Sequence, residues 1–274
     1  MPFRALSETE LLYNNTGFRP GNEEIMTEFQ IQIAGKIVTV RAMFDSTKDF
    51  CRDYLYTGPA DFLVQTDMDD IVFEREKSAR EDELEGLPVR TYSNQYLETI
   101  AIQRRIVEEL FVHDILLFHG SVVAVDGQAY LFTAKSGTGK STHTRLWREV
   151  FGPRAVMVND DKPLLRITAE GILVYGTPWN GKHHLGENIC VPLKAICLLE
   201  RGEENRIREI PPKEALTMLI QQSNRPRNPQ WMGKYLELID AMTRQTSFYR
   251  LECNMELSAA RLAHEAMSGE RKNK

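Results

Sequence analysis

The chain has 274 residues, 42% of them hydrophobic, which is enough for one large domain or for a core domain with a smaller companion. Its 34 basic and 39 acidic residues give a formal charge of −5, which offers no basic surface for nucleic acid or for an anionic membrane. The N-terminus has no apolar signal core, and no segment approaches the roughly 20 apolar residues that span a bilayer, so we expect a cytoplasmic protein. The four scattered cysteines contain no C-x-x-C pair, which argues against a zinc site or a disulfide framework.

The first 90 residues form a predicted β-rich N-terminal region. In "FQIQIAGKIVTV" the apolar residues alternate around Ala34-Gly35, as in a hairpin with one buried face. The segment "ADFLVQT" predicts another strand. The charged run at 74–86 is typical of a solvated face or a loop, and we assign it no functional role.

Residues 91–274 are predicted to form the main domain. A helix pattern runs from Ser93 to near His113, and two β-rich runs then flank the turn dipeptide Asp126-Gly127. Further strands are predicted in "AVMV", "GILVYG", "KAICLLE" and "SFYRLEC", and helices in "PKEALTMLIQQ", "WMGKYLELIDAM" and "SAARLAHEAM". The pattern predicts an α/β fold with an α+β tendency and a mixed, partly antiparallel sheet.

The glycine-rich stretch "AKSGTGKST" follows the second strand of this hairpin. It fits the Walker A pattern G-x-x-x-x-G-K-[ST], except that Ala134 replaces the first glycine. A phosphate loop needs small residues whose backbone N–H groups surround phosphate, a lysine for the β- and γ-phosphates and a hydroxyl for Mg²⁺. A strand precedes the motif and the helical pattern "THTRLWREVF" follows it, as a P-loop requires. The predicted nucleotide-binding residues are Ser136, Gly137, Thr138, Gly139, Lys140, Ser141 and Thr142, and a helix-capping role for Thr142 stays open.

The segment "VMVNDDKP" places Asp160 and Asp161 directly after a short apolar strand. A P-loop enzyme keeps a metal-binding acid in this position, and a second acid suggests a base for the attacking hydroxyl. Adjacent side chains on a strand point to opposite faces, but a turn starting at Asn159 would bring both carboxylates towards the phosphates. The alternative is a polar turn without chemistry.

Together, "HGSVVAVDGQAYLFTAKSGTGKS" and "NDDKP" resemble the catalytic domain of bacterial HPr kinase/phosphorylase. The nucleotide-binding core of that family is similar to that of ATP-dependent phosphoenolpyruvate carboxykinase. The resemblance covers about residues 115–200 and implies a P-loop kinase that uses ATP and Mg²⁺. It implies that Asp160 is the general base, that Asp161 is a metal or water partner alongside Ser141, and that His119 lies near the catalytic acid.

The segment "YGTPWNGKHHLGENICVPLKAICLLER" looks like the second half of HPr-kinase-like relatives that are not HPr kinases themselves. Within it, Lys182 and His183 are candidates for contact with the acceptor, against the alternative of a polar connecting loop. Arg225 and Arg227 lie in the proline-stiffened "SNRPRNPQW" and could close over the nucleotide as cationic clamps. Trp179 is predicted to pack in the core.

The sequence thus predicts a phosphotransferase that uses an alcohol group as acceptor, and a serine hydroxyl is the favoured acceptor. Lys140 joins Asp160, Asp161 and His119 in the predicted catalytic set. The acceptor stays open between a protein, a peptide and a small molecule, and relatives of the family often assemble into oligomers. We find no convincing match to the family's phosphorylase signature, and the sequence leaves open whether a reverse reaction exists. The alternative function is a regulatory module that binds nucleotide without turnover.

Overall fold

The computed structural model describes residues 26–135, 137–181 and 183–269, which form a small N-terminal sheet and a larger mixed sheet with helices. The strands are β1 Thr27–Ile33, β2 Lys36–Ala42, β3 Phe62–Gln65, β4 Ile115–Leu117, β5 Ser121–Val125, β6 Gln128–Thr133, β7 Ala155–Asn159, β8 Leu164–Ile167, β9 Ile172–Tyr175, β10 Cys190–Arg201, β11 Arg206–Ile210 and β12 Ser247–Cys253. The α-helices are α1 Asp45–Phe50, α2 Met68–Leu84, α3 Asn94–Leu110, α4 Lys140–Phe151, α5 Pro212–Gln222, α6 Met232–Gln245 and α7 Leu257–Ser268. Within these ranges, none of the helices combines the length and apolarity needed to cross a bilayer.

The N-terminal sheet confirms the predicted hairpin. β1 and β2 pair antiparallel, and the turn places Ala34 at φ 50° and Gly35 at φ 76°. β3 adds to β2 in parallel. The buried residues of β1 and β2 alternate along each strand, so one face of this sheet is covered.

Most of the charged run at 74–86 is exposed, as predicted for a solvated face, but Glu74 and Asp82 are buried. It belongs to α2, which begins with a capping box between Asp67 and Asp70. Glu74 is buried and accepts a hydrogen bond from Arg104 of α3. Arg104 also pairs with Asp70, so two ion pairs join α2 to α3. Hydrophobic periodicity alone does not show that acidic residues are buried in such pairs.

Helix α3 joins the N-terminal sheet to the rest of the molecule. Ser93 caps its first turn by accepting from the N–H of Tyr96, as predicted. Its buried face shares one hydrophobic cluster with β1 to β3 and with residues beyond α3, including Ile115, Leu164 and Trp179. A continuous core therefore crosses residue 90, and the division at that residue stays a prediction.

The larger sheet has the strand order β4-β8-β9-β10-β6-β5-β7, with β12 on β10 and β11 on β12. The long strand β10 pairs antiparallel with β9 through its first residues and parallel with β6 and β12 through its later ones, so the sheet is mixed and curled. The sequence patterns missed β4, β8 and β11, which are only three to five residues long. They confirm the predicted mixed, partly antiparallel character of the sheet.

The β5-β6 hairpin has the predicted turn, with Asp126 at φ 50° and Gly127 at φ 77°. All four cysteines lie within the described residues, and all are free. Trp179 is buried as predicted, and its indole N–H donates to the carbonyl of Thr99 at 2.8 Å.

Candidate active site

The topology brings the predicted site segments to one edge of the larger sheet. β5 runs antiparallel to both β6 and β7, with Ser121 opposite Phe132 and Val122 opposite Asn159. The amino end of β5 and the carboxyl ends of β6 and β7 therefore meet at this edge. His119, the glycine-rich segment 134–141 and the double aspartate lie just outside those three strand ends.

The glycine-rich segment leads from β6 into α4. Gly137 and Gly139 have φ values of 75° and 120°, which residues with a Cβ rarely adopt. Gly139 is the N-cap of α4, and no side chain caps the helix. Thr142 therefore does not take the capping role left open above, and the N–H groups of the first helical turn have no intrahelical partner. Ser136 lies outside the described residues.

The segment is held to the sheet by Arg201 at the end of β10. Its guanidinium donates to the carbonyl oxygens of Gly137 and Thr138. Because a guanidinium only donates hydrogen bonds, Arg201 occupies carbonyl oxygens of the segment and does not occupy the N–H groups at the start of α4. Sequence analysis did not single out Arg201, which is distant in the chain and carries no motif.

Lys140 is the first residue of α4 and lies close to the acidic turn. Burial lowers the pKa of its ammonium group, Asp161 raises it, and Lys162 lowers it further, with a net decrease. Within the described residues, the ammonium has no hydrogen-bond or ion-pair partner. The side chain is therefore a partly buried cation that is available to an anion.

The acidic turn has the geometry predicted from Asn159. The side-chain oxygen of Asn159 accepts from the backbone N–H groups of Asp161 at 2.8 Å and Lys162 at 2.6 Å. Its amide nitrogen donates to the carbonyl and the hydroxyl of Thr177. The buried Asn159 thus fixes the directions in which the two following carboxylates leave the sheet.

Asp160 is only 3% exposed. Its Oδ1 accepts from the N–H of Gly181 at 2.6 Å, whereas its buried Oδ2 has no partner within the described residues. Burial raises the pKa of this carboxyl group, and the nearby charge of Asp161 raises it further, against the hydrogen bond from Gly181. A buried carboxylate oxygen without a donor is costly unless a ligand satisfies it.

Asp161 faces His119, with 3.2 Å between Oδ1 and Nε2. Burial raises the pKa of Asp161, but the hydrogen bond from His119 and the charges of Lys162 and Lys140 outweigh it, so the net pKa is lowered. The same hydrogen bond raises the pKa of His119, while burial and the two lysines lower it to a net decrease. At pH 7 a neutral His119 thus donates a hydrogen bond to an ionised Asp161. Its partner in the acidic turn is Asp161 and not Asp160.

The loop between β9 and β10 covers the acidic turn. Its residues Gly186 and Glu187 bond to the end of β7, and Gly181 contacts Asp160 as described above. A Cβ on Gly181 would lie 3.2 Å from the Asp160 carboxylate, so this position leaves little room for a side chain. His183 is exposed and near enough to lower the pKa of Asp160, while Lys182 lies outside the described residues.

Gly176 sets how closely this loop approaches β7. A Cβ there would lie 1.9 Å from the carbonyl oxygen of Glu187 and 2.8 Å from that of Val158. We expect Gly176→Ala to lower the free energy of unfolding by about 3 kcal/mol, because backbone atoms must move to admit the methyl group.

Urea denaturation measures that change, and Gly233→Ala in α6 is the matched control. No atom lies within 4 Å of a Cβ at Gly233, and alanine favours a helix, so the control should be neutral or slightly stabilising. Equal stability of the two variants would contradict the close approach at Gly176.

Two cavities flank the site. One, of about 520 Å³, lies beside the glycine-rich segment and is lined by Thr142, His143, Leu199, Arg201 and Met255 among others. In it, His143 accepts from the Trp147 indole through Nε2 and has a pKa lowered by burial to about 4, so its proton sits on Nδ1. This buried Nδ1 has no partner within the described residues.

The second cavity is a cleft of about 880 Å³ on the other side of the acidic turn. Arg225 and Arg227 line this cleft together with Lys162. They do not line the cavity beside the glycine-rich segment, and their role as clamps over the nucleotide stays a prediction. Arg227 packs over the Phe73 ring at 4.4 Å and lies 3.8 Å from Glu108.

These observations define a mixed α/β protein with a curled sheet, in which a glycine-rich helix start and a buried acidic turn share one sheet edge. The chain belongs to the family of the SynChlorMet cassette protein ScmC, whose model matches residues 88–259, more than half of the chain. The matched range begins before α3 and includes all the described site residues.

Two further comparisons add no functional assignment. A solved structure of the HPr(Ser) kinase/phosphatase from Coxiella burnetii matches with 10% identity over 56% of this chain and 99% of that chain. The TM-score is 0.33, which is too low to carry an argument about fold or activity. No curated protein matches the sequence.

Proposed function

We propose that this protein is a kinase that transfers the γ-phosphoryl group of ATP, with Mg²⁺, to a hydroxyl group, with serine as the preferred acceptor. One observation carries the proposal. Buried Asp160, whose Oδ2 has no partner within the described residues, lies at the same sheet edge as the start of α4, where the ammonium of Lys140 has no such partner either. A proton acceptor next to an anion-binding helix start is what phosphoryl transfer to a hydroxyl requires.

The residues at the start of α4 fit a nucleotide. Positive φ values at Gly137 and Gly139 and the absence of a side-chain cap leave backbone N–H groups for phosphate oxygens, where the helix dipole adds a favourable field. The proposed phosphate-binding residues remain Ser136 to Thr142. The 520 Å³ cavity next to them suits the nucleoside, with His143 Nδ1–H as a donor to an acceptor atom of the base or ribose.

The metal site is proposed from Ser141 and Asp161. Within the described ranges, no group of three or more His, Cys, Asp and Glu side chains is placed to hold a metal ion. Mg²⁺ in nucleotide sites takes one or two protein ligands, and phosphate oxygens and water complete its shell, so a hydroxyl and one ionised carboxylate are a fitting donor set. The lowered pKa of Asp161 keeps that carboxylate charged.

Each side chain has a distinct proposed role. When bound, MgATP would supply the phosphoryl group, and Mg²⁺ would offset part of the phosphate charge. Asp160 accepts the proton of the acceptor hydroxyl at Oδ2 as that oxygen bonds to the γ-phosphorus and the bond from phosphorus to ADP breaks. The raised pKa of Asp160 favours this proton transfer. Lys140 stabilises the negative charge on the phosphate oxygens, and His119 positions Asp161 through their hydrogen bond.

Transfer of γ-labelled phosphate tests the function directly. The protein is incubated with labelled ATP and Mg²⁺ and with free serine, serine peptides or cell extract as acceptors. An acid-stable labelled product is expected, as a phosphate ester of serine requires. ATP binding without labelled product from any acceptor would instead favour the regulatory nucleotide-binding module.

Asp161→Ala tests the metal role. We expect the Mg²⁺ concentration for half-maximal binding of a fluorescent ATP analogue to rise about tenfold, because one charged ligand is lost. Glu170→Ala, in the exposed turn between β8 and β9, removes the same charge away from the site and serves as the control. An unchanged Mg²⁺ dependence in Asp161→Ala would exclude Asp161 as a ligand.

A further inference from the structure

The 880 Å³ cleft runs along one face of α3. Its lining includes Gln103 of this helix, Phe111 directly after it, Phe73 of α2 and Trp231 of the segment 224–231. Trp231 is 40% exposed. Apolar and aromatic groups thus share this concave surface with charged and amide side chains, a combination that can hold a ligand with both apolar and polar groups.

The cations that line the cleft differ in whether they are paired with acids. Of the five, Arg227, Lys77 and Arg104 pair with acidic side chains. Lys162 and Arg225 have no hydrogen-bond or ion-pair partner within the described residues. These two cations suit a carboxylate of a ligand.

A buried donor adds a second, independent observation. Gln103 lines the cleft and is only 7% exposed, and its Nε2 has no partner within the described part of the chain. An unsatisfied buried N–H group costs free energy unless a ligand or water accepts from it. Its presence in the cleft indicates an acceptor atom, such as a carbonyl oxygen, in the occupant.

The cleft opens next to the acidic turn. Lys162 follows Asp161 directly, and its charge lowers the pKa values of Asp161 and Lys140, so its ammonium lies near both. The same side chain lines the cleft. Tyr96, one turn before Ile100 on α3, is also within electrostatic range of Asp161. A ligand in the cleft can therefore reach the site from its end at Lys162.

The length of the cleft favours an extended chain. Its α3 residues run from Ile100 to Glu108, a distance of about 12 Å at the rise of an α-helix. About four extended residues span that distance. A free amino acid would leave most of the cleft unfilled, whereas a polypeptide segment also supplies carbonyl groups for Gln103.

We propose that this cleft binds the acceptor, and that the acceptor is an acidic polypeptide segment with an aromatic or large apolar residue beside the reactive serine. The carboxylate pairs with Lys162 and Arg225, the backbone accepts from Gln103, and the apolar residue packs against Phe111 and Trp231. That the bound peptide is the phosphoryl acceptor rests on the proposed kinase function, whereas peptide binding in the cleft does not.

Binding is measured by fluorescence anisotropy with labelled serine peptides of about ten residues. Each peptide combines glutamate and aromatic residues in varied positions around serine, and each has a partner peptide with lysine in place of glutamate. We expect the best glutamate peptides to bind about tenfold or more tightly than their lysine partners. Arg225→Gln should remove most of that preference, because it deletes one of the two unpaired cations.

Two further variants test whether a change in peptide affinity is specific to the cleft. Gln103→Leu should weaken peptide binding severalfold without lowering the unfolding temperature, since it removes a donor that is unpaired in the free protein. Arg206→Gln removes an exposed arginine from β11, outside the cleft, and should bind like the wild type. Equal affinity for glutamate and lysine peptides, no binding by either, or equal behaviour of Arg225→Gln and Arg206→Gln overturns the proposal.

Transfer from labelled ATP is scored on the same peptides. Selective binding without transfer supports the acidic-peptide site and overturns only the kinase function. Transfer into a peptide whose affinity does not depend on Arg225 supports the kinase and overturns the cleft as the acceptor site. The two failures are therefore distinguishable.

Discussion

Asp160→Asn should leave ATP binding within about twofold of wild type and lower phosphoryl transfer by about a thousandfold, as expected when a general base is lost. Asparagine has nearly the shape of aspartate and keeps an oxygen to accept from Gly181. Its side chain cannot take up the proton of the acceptor hydroxyl. The loss should therefore fall on turnover and not on affinity.

The experiment combines single-turnover transfer with a titration of a fluorescent ATP analogue. Asp126→Asn is the matched control, because it makes the same change in the exposed β5-β6 turn, where Asp126 pairs with Arg154. The control should transfer phosphate at the wild-type rate. If Asp160→Asn transferred phosphate at the wild-type rate, Asp160 would not be the general base.

Lys140→Ala should abolish measurable nucleotide binding, with a loss of affinity of about a hundredfold or more. The ammonium is partly buried beside the uncapped start of α4 and has no partner within the described residues, so its charge is free to bind phosphate. Alanine is well tolerated in a helix, which keeps the fold intact.

Isothermal titration with ATP and Mg²⁺ measures this loss. Arg145→Ala is the control on the same helix, since it removes a cation from the exposed face, where Arg145 pairs with Glu149. The control should bind ATP like the wild type. If Lys140→Ala and Arg145→Ala retained the same affinity, the glycine-rich segment would not be a phosphate site.

The structural features that could be predicted from the sequence depend on interactions between residues close together in the chain. Alternation and turn residues at Ala34-Gly35 and Asp126-Gly127 define both hairpins, because backbone conformation at those turns depends on the residues themselves. The cap at Ser93 and the Asx-type turn at Asn159 are local in the same sense. The spacing of the glycine-rich segment and the double aspartate likewise identified the candidate site before any contact was known.

Only the tertiary structure decided which side chains are partners. It paired His119 with Asp161 and not with Asp160, buried the acids of α2 against α3, and placed Arg225 and Lys162 in the lining of one cleft. These contacts join segments far apart in the chain, and their energies depend on burial and on strand register. A sequence pattern identifies which groups can react or pair, but the packing of β5, β6 and β7 and of α3 determines which of them meet.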